Sequence, residues 1–143
     1  MQVGDVMTRG VECIRPSDSI ATAAERMRDL DVGALPVCGE NDRLAGMVTD
    51  RDITIRGTAS CCGPAETTVE EVMTPNIVFC FEDQDIEEAT RLMEEHQIRR
   101  LPVLNRDKRL VGILSLGDVA IETHDEHLAG SALEAISEPA PAI

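Results

Sequence analysis

Twice in this chain a hydroxyl and a carboxylate stand three residues apart behind a glycine, as Gly46-Met47-Val48-Thr49-Asp50-Arg51-Asp52 and Gly112-Ile113-Leu114-Ser115-Leu116-Gly117-Asp118. A Thr or Ser at the start of a helix offers its hydroxyl beside backbone N–H groups that have no intrahelical partner, where the helix dipole also favours an anion. The same spacing serves a helix cap or a surface pair, and both readings stand. Five cysteines, Cys13, Cys38, Cys61, Cys62 and Cys80, form no CxxC pair and are odd in number, which fits neither a secreted disulfide framework nor a zinc ribbon. Buried or idle thiols are the plain reading. Cys13 and Cys38 nevertheless fall on expected neighbouring strands, so a disulfide or redox-sensitive pair is geometrically allowed. Cys61-Cys62, before Gly63-Pro64, reads as an exposed pair, idle or open to oxidation or metal. His124 and His127 stand three apart, a spacing that puts both imidazoles on one helical face, able to hold zinc with help from Asp125, Glu122 or a symmetry mate. A solvated helix end is the plainer alternative, and His96 stands alone. No nucleophile has a histidine partner in a recognisable motif and no Walker-type loop occurs, so the chain reads as not an enzyme.

What surrounds these residues narrows the partners. Acidic residues outnumber basic ones 27 to 13 and the formal charge is −14. Nucleic-acid affinity comes mostly from clustered Lys and Arg releasing counterions, so neither a nucleic acid nor an anionic membrane is expected. Phe79 and Phe81 are the sole aromatics, which leaves no base-stacking surface for single strands. No run of about 18 apolar residues occurs. Met1-Gln2-Val3-Gly4-Asp5 lacks the segments of a secretory signal, so a soluble, cytoplasmic protein is expected. A chain of 143 residues, 43% hydrophobic, suffices for one compact domain or two half-size repeats sharing a core.

The elements that must position the candidate residues come in two copies. Sliding the chain on itself by 66 residues aligns Val3–Ile53 with Val69–Val119 without a gap. Val6-Met7-Thr8 falls on Val72-Met73-Thr74, Leu35-Pro36-Val37 on Leu101-Pro102-Val103, Gly46 on Gly112 and Asp52 on Asp118. Ile20, Ala23, Ala24, Met27 and Leu30 recur at helical spacing, as do Ile86, Ala89 and Met93. Ser17, Asp18 or Ser19, and Asp83 or Asp85, offer N-cap oxygens. Apolar runs at 34–38 and 44–48, and again at 101–104 and 110–114, flank polar turns and predict hairpins. Strands are expected at Val11–Ile14 and Ile77–Phe81, and a last helix near Thr49 or Ser115. Thr68 and Glu71 make a capping box before a short helix over Val69–Met73. The expectation is an α+β fold of two β-α-β-β-α repeats packed sheet to sheet about a pseudo-two-fold axis. Residues 1–60 form the first repeat, 61–68 a linker, 69–123 the second repeat and 124–143 a C-terminal helix with a frayed tail. In that tail Leu128, Leu133 and Ile136 suggest a short helix that seals the core or a dimer seam, and Pro139 and Pro141 cannot continue it.

These motifs resemble the CBS-domain family, whose paired form is the Bateman module. The resemblance rests on the openings Asp5-Val6-Met7-Thr8 and Glu71-Val72-Met73-Thr74, the two Leu-Pro-Val strands, and the two Gly-x-x-Thr/Ser-x-x-Asp signatures. It covers roughly residues 1 to 123. It implies tandem CBS domains with an inter-repeat cleft that takes an adenosine nucleotide, AMP or ATP. Asp52 and Asp118 would accept the ribose hydroxyls, a charge-assisted pairing. Thr49 and Ser115 would meet phosphate, with Arg51, Arg99 and Arg100 reaching it through planar guanidinium forks. Adenine would lie against Val11, Ala34, Pro36, Ile77 and Pro102. Asp50 counts against the first site, because a second carboxylate repels phosphate unless Arg51 neutralises it. Leu116-Gly117 replaces that charged pair in the second copy. The resemblance implies a stand-alone regulatory homodimer acting on a protein partner. The alternative is a stress-response interaction, redox or metal-binding protein of the same fold without nucleotide affinity.

Overall fold

The computed structural model describes residues 1–60 and 63–139. Its helices are α1 (Ile20–Leu30), α2 (Asp50–Asp52), α3 (Val69–Val72), α4 (Ile86–His96), α5 (Leu116–Thr123) and α6 (Glu126–Ser137). Its strands are β1 (Thr8–Arg9), β2 (Ala34–Cys38), β3 (Leu44–Thr49), β4 (Thr74–Pro75), β5 (Cys80–Phe81), β6 (Arg100–Leu104) and β7 (Leu110–Ser115). α2 runs on into a π-helical turn, Ile53–Gly57, and a 3-10 turn, Thr58–Ser60.

The chain divides into two compact units, one made of Met1–Val11 with Val78–Ile143 and the other of Glu12–Ile77. These packing units are not the sequence repeats, because each repeat gives its opening segment away. β1 pairs antiparallel with β7, Thr8 opposite Ile113 and Arg9 opposite Gly112. β4 pairs antiparallel with β3, Gly46 opposite Pro75 and Met47 opposite Thr74. This crossing accounts for the glycine of each signature. A Cβ on Gly112 would stand 2.6 Å from the Thr8 carbonyl oxygen and 2.7 Å from the Met7 Sδ, and one on Gly46 would stand 2.5 Å from the Thr74 carbonyl oxygen. Only a residue without a side chain lets the donated strand come so close.

In the first unit the sheet runs β1-β7-β6-β5. β5 is parallel to β6 and β6 is antiparallel to β7. The crossover between the parallel pair is α4, capped at its start by Asp85, whose Oδ1 accepts the Glu87 N–H at 2.9 Å. α4 ends at Gln97 in the left-handed conformation, φ 52°. Ile86, Ala89 and Met93 of α4 pack with Leu101, Val103 and Leu114 of the hairpin and with Val3, Val6 and Met7 of the donated segment. α6 closes the same core with Ala132 and Ile136. Gln97 fixes the end of α6, its Nε2 donating to the Ala135 carbonyl at 3.2 Å and the Glu138 carbonyl at 2.9 Å. The C-terminal helix therefore seals a core, while Leu133 on its other side stays 48% exposed.

The second unit repeats this plan with the sheet β2-β3-β4. α1 is capped by Ser19, whose Oγ accepts the Thr22 N–H at 3.1 Å, and ends at Asp31 with φ 55°. Ile20, Ala23 and Met27 pack with Leu35, Val37 and Val48 and with Val69 and Val72 of α3. The capping box before α3 is formed, the Thr68 N–H donating to Glu71 Oε2 at 2.7 Å. The strand expected over Val11–Ile14 is a correction. It shrinks to one parallel bridge, Ile14 with Val37. The Arg15 N–H turns away to the Asp18 carboxylate at 2.9 Å and Pro16 has no N–H to give, so the ladder stops there. The strand expected over Ile77–Phe81 likewise shortens to β5, and the Phe81 N–H goes to Gln84 Oε1 at 2.8 Å.

Candidate functional site

Both hydroxyl–carboxylate pairs sit where a β-strand turns into a helix. Ser115, the last residue of β7, is the N-cap of α5. Its Oγ accepts the Asp118 N–H at 3.0 Å, and Asp118 Oδ2 accepts the Ser115 N–H at 3.1 Å. The Thr8 hydroxyl lies 3.4 Å from the same Oδ2. The Asp118 Oδ1 has no hydrogen bond among the described residues. Asp118 is half-buried, so it is neither sealed in the core nor turned fully to water.

Beside this helix start lies a groove of about 470 Å³. Arg99 and Arg100 form one side, and Ser115, Leu116, Gly117 and Ala120 of the α5 start form the next. The Leu116 N–H holds the corner by donating to the Arg99 carbonyl at 2.9 Å. The remaining wall is α6, through Ala129, Gly130 and Leu133. The periodicity of Leu128, Leu133 and Ile136 foretold this helix, but no local spacing tells which face it turns to a distant strand. Arg99 and Arg100 make no salt bridge among the described residues. No carboxylate lines the groove among the described residues, in a chain with 27 acids.

The first copy is built alike but differs in charge. Thr49 Oγ1 accepts the Asp52 N–H and Asp52 Oδ2 accepts the Thr49 N–H, both at 3.0 Å. Asp50 takes the place of Leu116 and stands at the mouth, its N–H donating to the Gly33 carbonyl at 3.0 Å and its Oδ1 accepting the Arg51 N–H at 2.8 Å. The groove there is about 330 Å³, lined by Asp50, Arg51, Thr54 and Ile55. A carboxylate is thus part of the lining in this copy.

The residues expected to meet adenine are divided by the exchange of segments. Val11 and Pro102 belong to the first unit, and Ala34, Pro36 and Ile77 to the second. Pro36 and Pro102 are buried, and the other three are half-buried. His124 and His127 do not share a helix face, which corrects the spacing argument. α5 stops at Thr123, His124 adopts the left-handed conformation with φ 54°, and His127 lies in α6, capped by Asp125, whose Oδ1 accepts the Leu128 N–H. No group of three or more His, Cys, Asp or Glu side chains able to hold a metal ion exists among the described residues, so this pair does not by itself fit zinc. Cys61 and Cys62 lie outside the described residues.

Cys13 and Cys38 are brought together, with Sγ atoms 2.8 Å apart. The main-chain link beside them is the Ile14–Val37 bridge, in which the Cys38 N–H donates to the Ile14 carbonyl at 2.9 Å. The thiol–thiol hydrogen bond with Cys38 holds the Cys13 thiol below its ordinary value, against its partial burial, with Arg15 helping. The same contact, together with burial, pushes the Cys38 thiol far up. Burial pushes Cys80 up to about 12. No helix among the described residues is long and apolar enough to cross a membrane.

Comparison with known proteins agrees with this architecture. Hypoxic response protein 1 of Mycobacterium tuberculosis is 42% identical over 135 residues, which are 94% of this chain and 93% of that protein. A crystal structure of Hypoxic Response Protein I with two coordinated zinc ions superposes with a TM-score of 0.78, covering 84% of this chain and 97% of that one. The crystal structure of CBSX2 in complex with AMP, 32% identical, gives 0.76 over 86% of this chain and 96% of that one. The CBS domain pair of MJ0100, in complex with 5-methylthioadenosine and S-adenosyl-L-methionine, is 25% identical and gives 0.75, over 87% of this chain and 96% of that one. The CBS domain pattern matches residues 3–56 and again 69–124, the same two copies that the internal alignment and the two capped helix starts mark out, and the chain therefore belongs to the CBS-domain family.

Proposed function

We propose that this protein is a regulatory, non-catalytic CBS-pair module that binds an adenosine nucleotide of the AMP or ATP class at its hydroxyl–carboxylate helix starts, foremost the one at Ser115 and Asp118. The observation that carries the reading is the start of α5, where the half-buried Asp118 carboxylate is held against the capping Ser115, and Ser115 in turn lines a groove with two arginines that make no ion pair among the described residues. The Asp118 Oδ1 suits two ribose hydroxyls, because a charged acceptor strengthens both bonds. The Ser115 Oγ already accepts from Asp118 N–H, so its own proton is left to donate to a phosphate oxygen. AMP in the CBSX2 structure and the adenosyl ligands of MJ0100 support the adenosine class. Ligand bound only to the folded form stabilises it by mass action and biases whichever arrangement binds more tightly. In the same reading the molecule is a homodimer that passes this bias to a protein partner.

Titration calorimetry with AMP, ATP and S-adenosylmethionine tests the proposal. Asp118→Asn keeps an oxygen for the Ser115 N–H but loses the charge, and about a tenfold weakening is expected from the loss of one charge-assisted bond. Failure of all three ligands to bind the parent protein overturns the reading. One observation favours a second reading, a thiol-based stress-response module, namely the 2.8 Å approach of Cys13 and Cys38. That reading gains if none of the ligands binds and dimers on non-reducing gels depend on cysteine.

A further inference from the structure

Two of the five cysteines meet just after the chain passes from one unit into the other. Residues through Val11 belong to the first unit and those from Glu12 to the second. Cys13 follows at once, its Sγ 2.8 Å from the Sγ of Cys38, the last residue of β2. We propose that Cys13 is a peroxide-reactive thiol and Cys38 its resolving partner, so that a hydroperoxide closes an intramolecular disulfide tying this entry segment to β2. The inference specifies the chemistry of the contact on which the second, thiol-based reading rests, and it holds whether or not an adenosine ligand binds.

The two thiols are unequal, and the inequality assigns their roles. Cys13 is half-buried and within reach of a small oxidant, whereas Cys38 is buried. The thiol contact and the Arg15 guanidinium, whose Nη1 donates to the Gly39 carbonyl at 2.9 Å, favour the Cys13 thiolate against burial and the Asp42 charge. The thiolate is the attacking species. Cys38 is pushed the other way and remains a thiol until Cys13 has been oxidised. Attack of the Cys13 thiolate on a peroxide oxygen breaks the O–O bond and leaves Cys13 as a sulfenic acid. The departing alkoxide takes a proton and becomes an alcohol, or water when the oxidant is hydrogen peroxide. The Cys38 sulfur then attacks the Cys13 sulfur, the S–O bond breaks, and the hydroxyl leaves as water with the Cys38 proton. Two thiols and one hydroperoxide thus become one disulfide, one alcohol and one water. The Ile14–Val37 bridge keeps the two segments in register during the step, with the Ile14 N–H donating to the Pro36 carbonyl at 3.0 Å and the Cys38 N–H to the Ile14 carbonyl at 2.9 Å. Cys80 is buried with its thiol pushed up to about 12, and serves as the internal control.

The test uses the full chain, reduced, with Cys61→Ser and Cys62→Ser to remove the vicinal pair. One equivalent of hydrogen peroxide should join the Cys13 and Cys38 peptides, read by mass spectrometry, while Cys80 stays free. With Cys38→Ser added, the sulfenic acid has no thiol to meet, so dimedone should label Cys13. With Cys13→Ser added instead, dimedone should label neither Cys38 nor Cys80. Because a substitution in β2 can unfold the chain, a pulse of iodoacetamide on the unsubstituted protein supplies a measure that needs no variant. Cys13 should be alkylated at least about tenfold faster than Cys38 and Cys80. Dimedone on Cys38 in place of Cys13, alkylation of Cys13 no faster than that of Cys38, or peroxide products without the Cys13–Cys38 link would overturn the assignment. Cysteine-dependent dimers with no intramolecular link would overturn it while leaving the thiol-based reading in place. Formation of the link in a chain that also binds AMP would uphold the inference and remove that second reading, which requires the ligands to fail.

Discussion

Capping a helix and taking a ribose are compatible duties for Asp118, because they use different oxygens. Oδ2 is committed to the Ser115 N–H at 3.1 Å, which fixes the side chain in one rotamer and leaves Oδ1 oriented without a further ordering penalty. The three-residue spacing made the capping pair legible in the sequence. Thr8, whose hydroxyl lies 3.4 Å from the same carboxylate, was not legible, because a partner 110 residues away leaves no local periodicity. Burial has an equally direct consequence at Cys80. Its thiol is pushed from 9.0 up to about 12, so the folded state prefers the neutral form. Folded pKa above unfolded pKa means that this stabilisation is complete below pH 9 and is lost as pH rises toward 12. The chain has no tyrosine and one lysine, Lys108, so cysteines dominate the titration in that window. Urea denaturation under reductant at pH 7.5 and 10.5 should show the parent losing on the order of 2 kcal/mol more than Cys80→Ala over that step. Equal losses in the two proteins would contradict a buried neutral thiol.

At the scale of elements, helices read more truly than strands. α1 and α4 were set by their apolar spacing and by a cap chosen from several candidates. Ser19 and Asp85 won because Asp18 is taken by the Arg15 N–H and Asp83 by the Arg106 guanidinium at 2.7 Å. The strands expected at Val11–Ile14 and Ile77–Phe81 rest on β-branched and apolar content, whereas a ladder needs a partner's register, which content does not supply. Glycines show the same contrast between local and tertiary causes. Gly112 is required by the Thr8 carbonyl 2.6 Å from its would-be Cβ, while Gly130 faces open space inside α6. Thermal and urea unfolding should therefore separate them. Gly112→Ala should destabilise by about 1–3 kcal/mol through overpacking against main chain that cannot retreat. Gly130→Ala should stabilise by about 0.5–1 kcal/mol through helix propensity. A neutral Gly112→Ala would mean that β1 is not held against β7.

For the whole molecule, the sequence repeat and the packing unit part company, and this bears on where the chain can be cut. A reader of the internal alignment would divide it near residues 60 and 69, yet one unit is the continuous stretch Glu12–Ile77 and the other needs Met1–Val11 together with everything after Val78. A fragment of residues 69–143 keeps all of the second repeat but loses Val3, Val6 and Met7, which are 0%, 4% and 8% exposed. It also loses main-chain bonds such as Val3 N–H to Gln84 C=O at 2.8 Å and Gly4 N–H to Glu82 C=O at 2.8 Å. Three such side chains contribute about 4.5–9 kcal/mol of burial, at roughly 1.5–3 kcal/mol each, which is comparable to the whole net stability of a typical domain, about 5–15 kcal/mol. The fragment 69–143 should therefore lack a cooperative urea transition, and an excess of a peptide of residues 1–11 should restore one. The opposite end of the same argument favours 12–77 over 1–60. The first contains Val69, Val72 and β4, which complete its core and its sheet, and the second substitutes residues whose partners it lacks. Fragment 12–77 should unfold at the higher urea concentration although the two differ little in length. A transition for 1–60 at or above that of 12–77, or cooperative unfolding of 69–143 without the peptide, would return the folding boundary to the edge of the repeat.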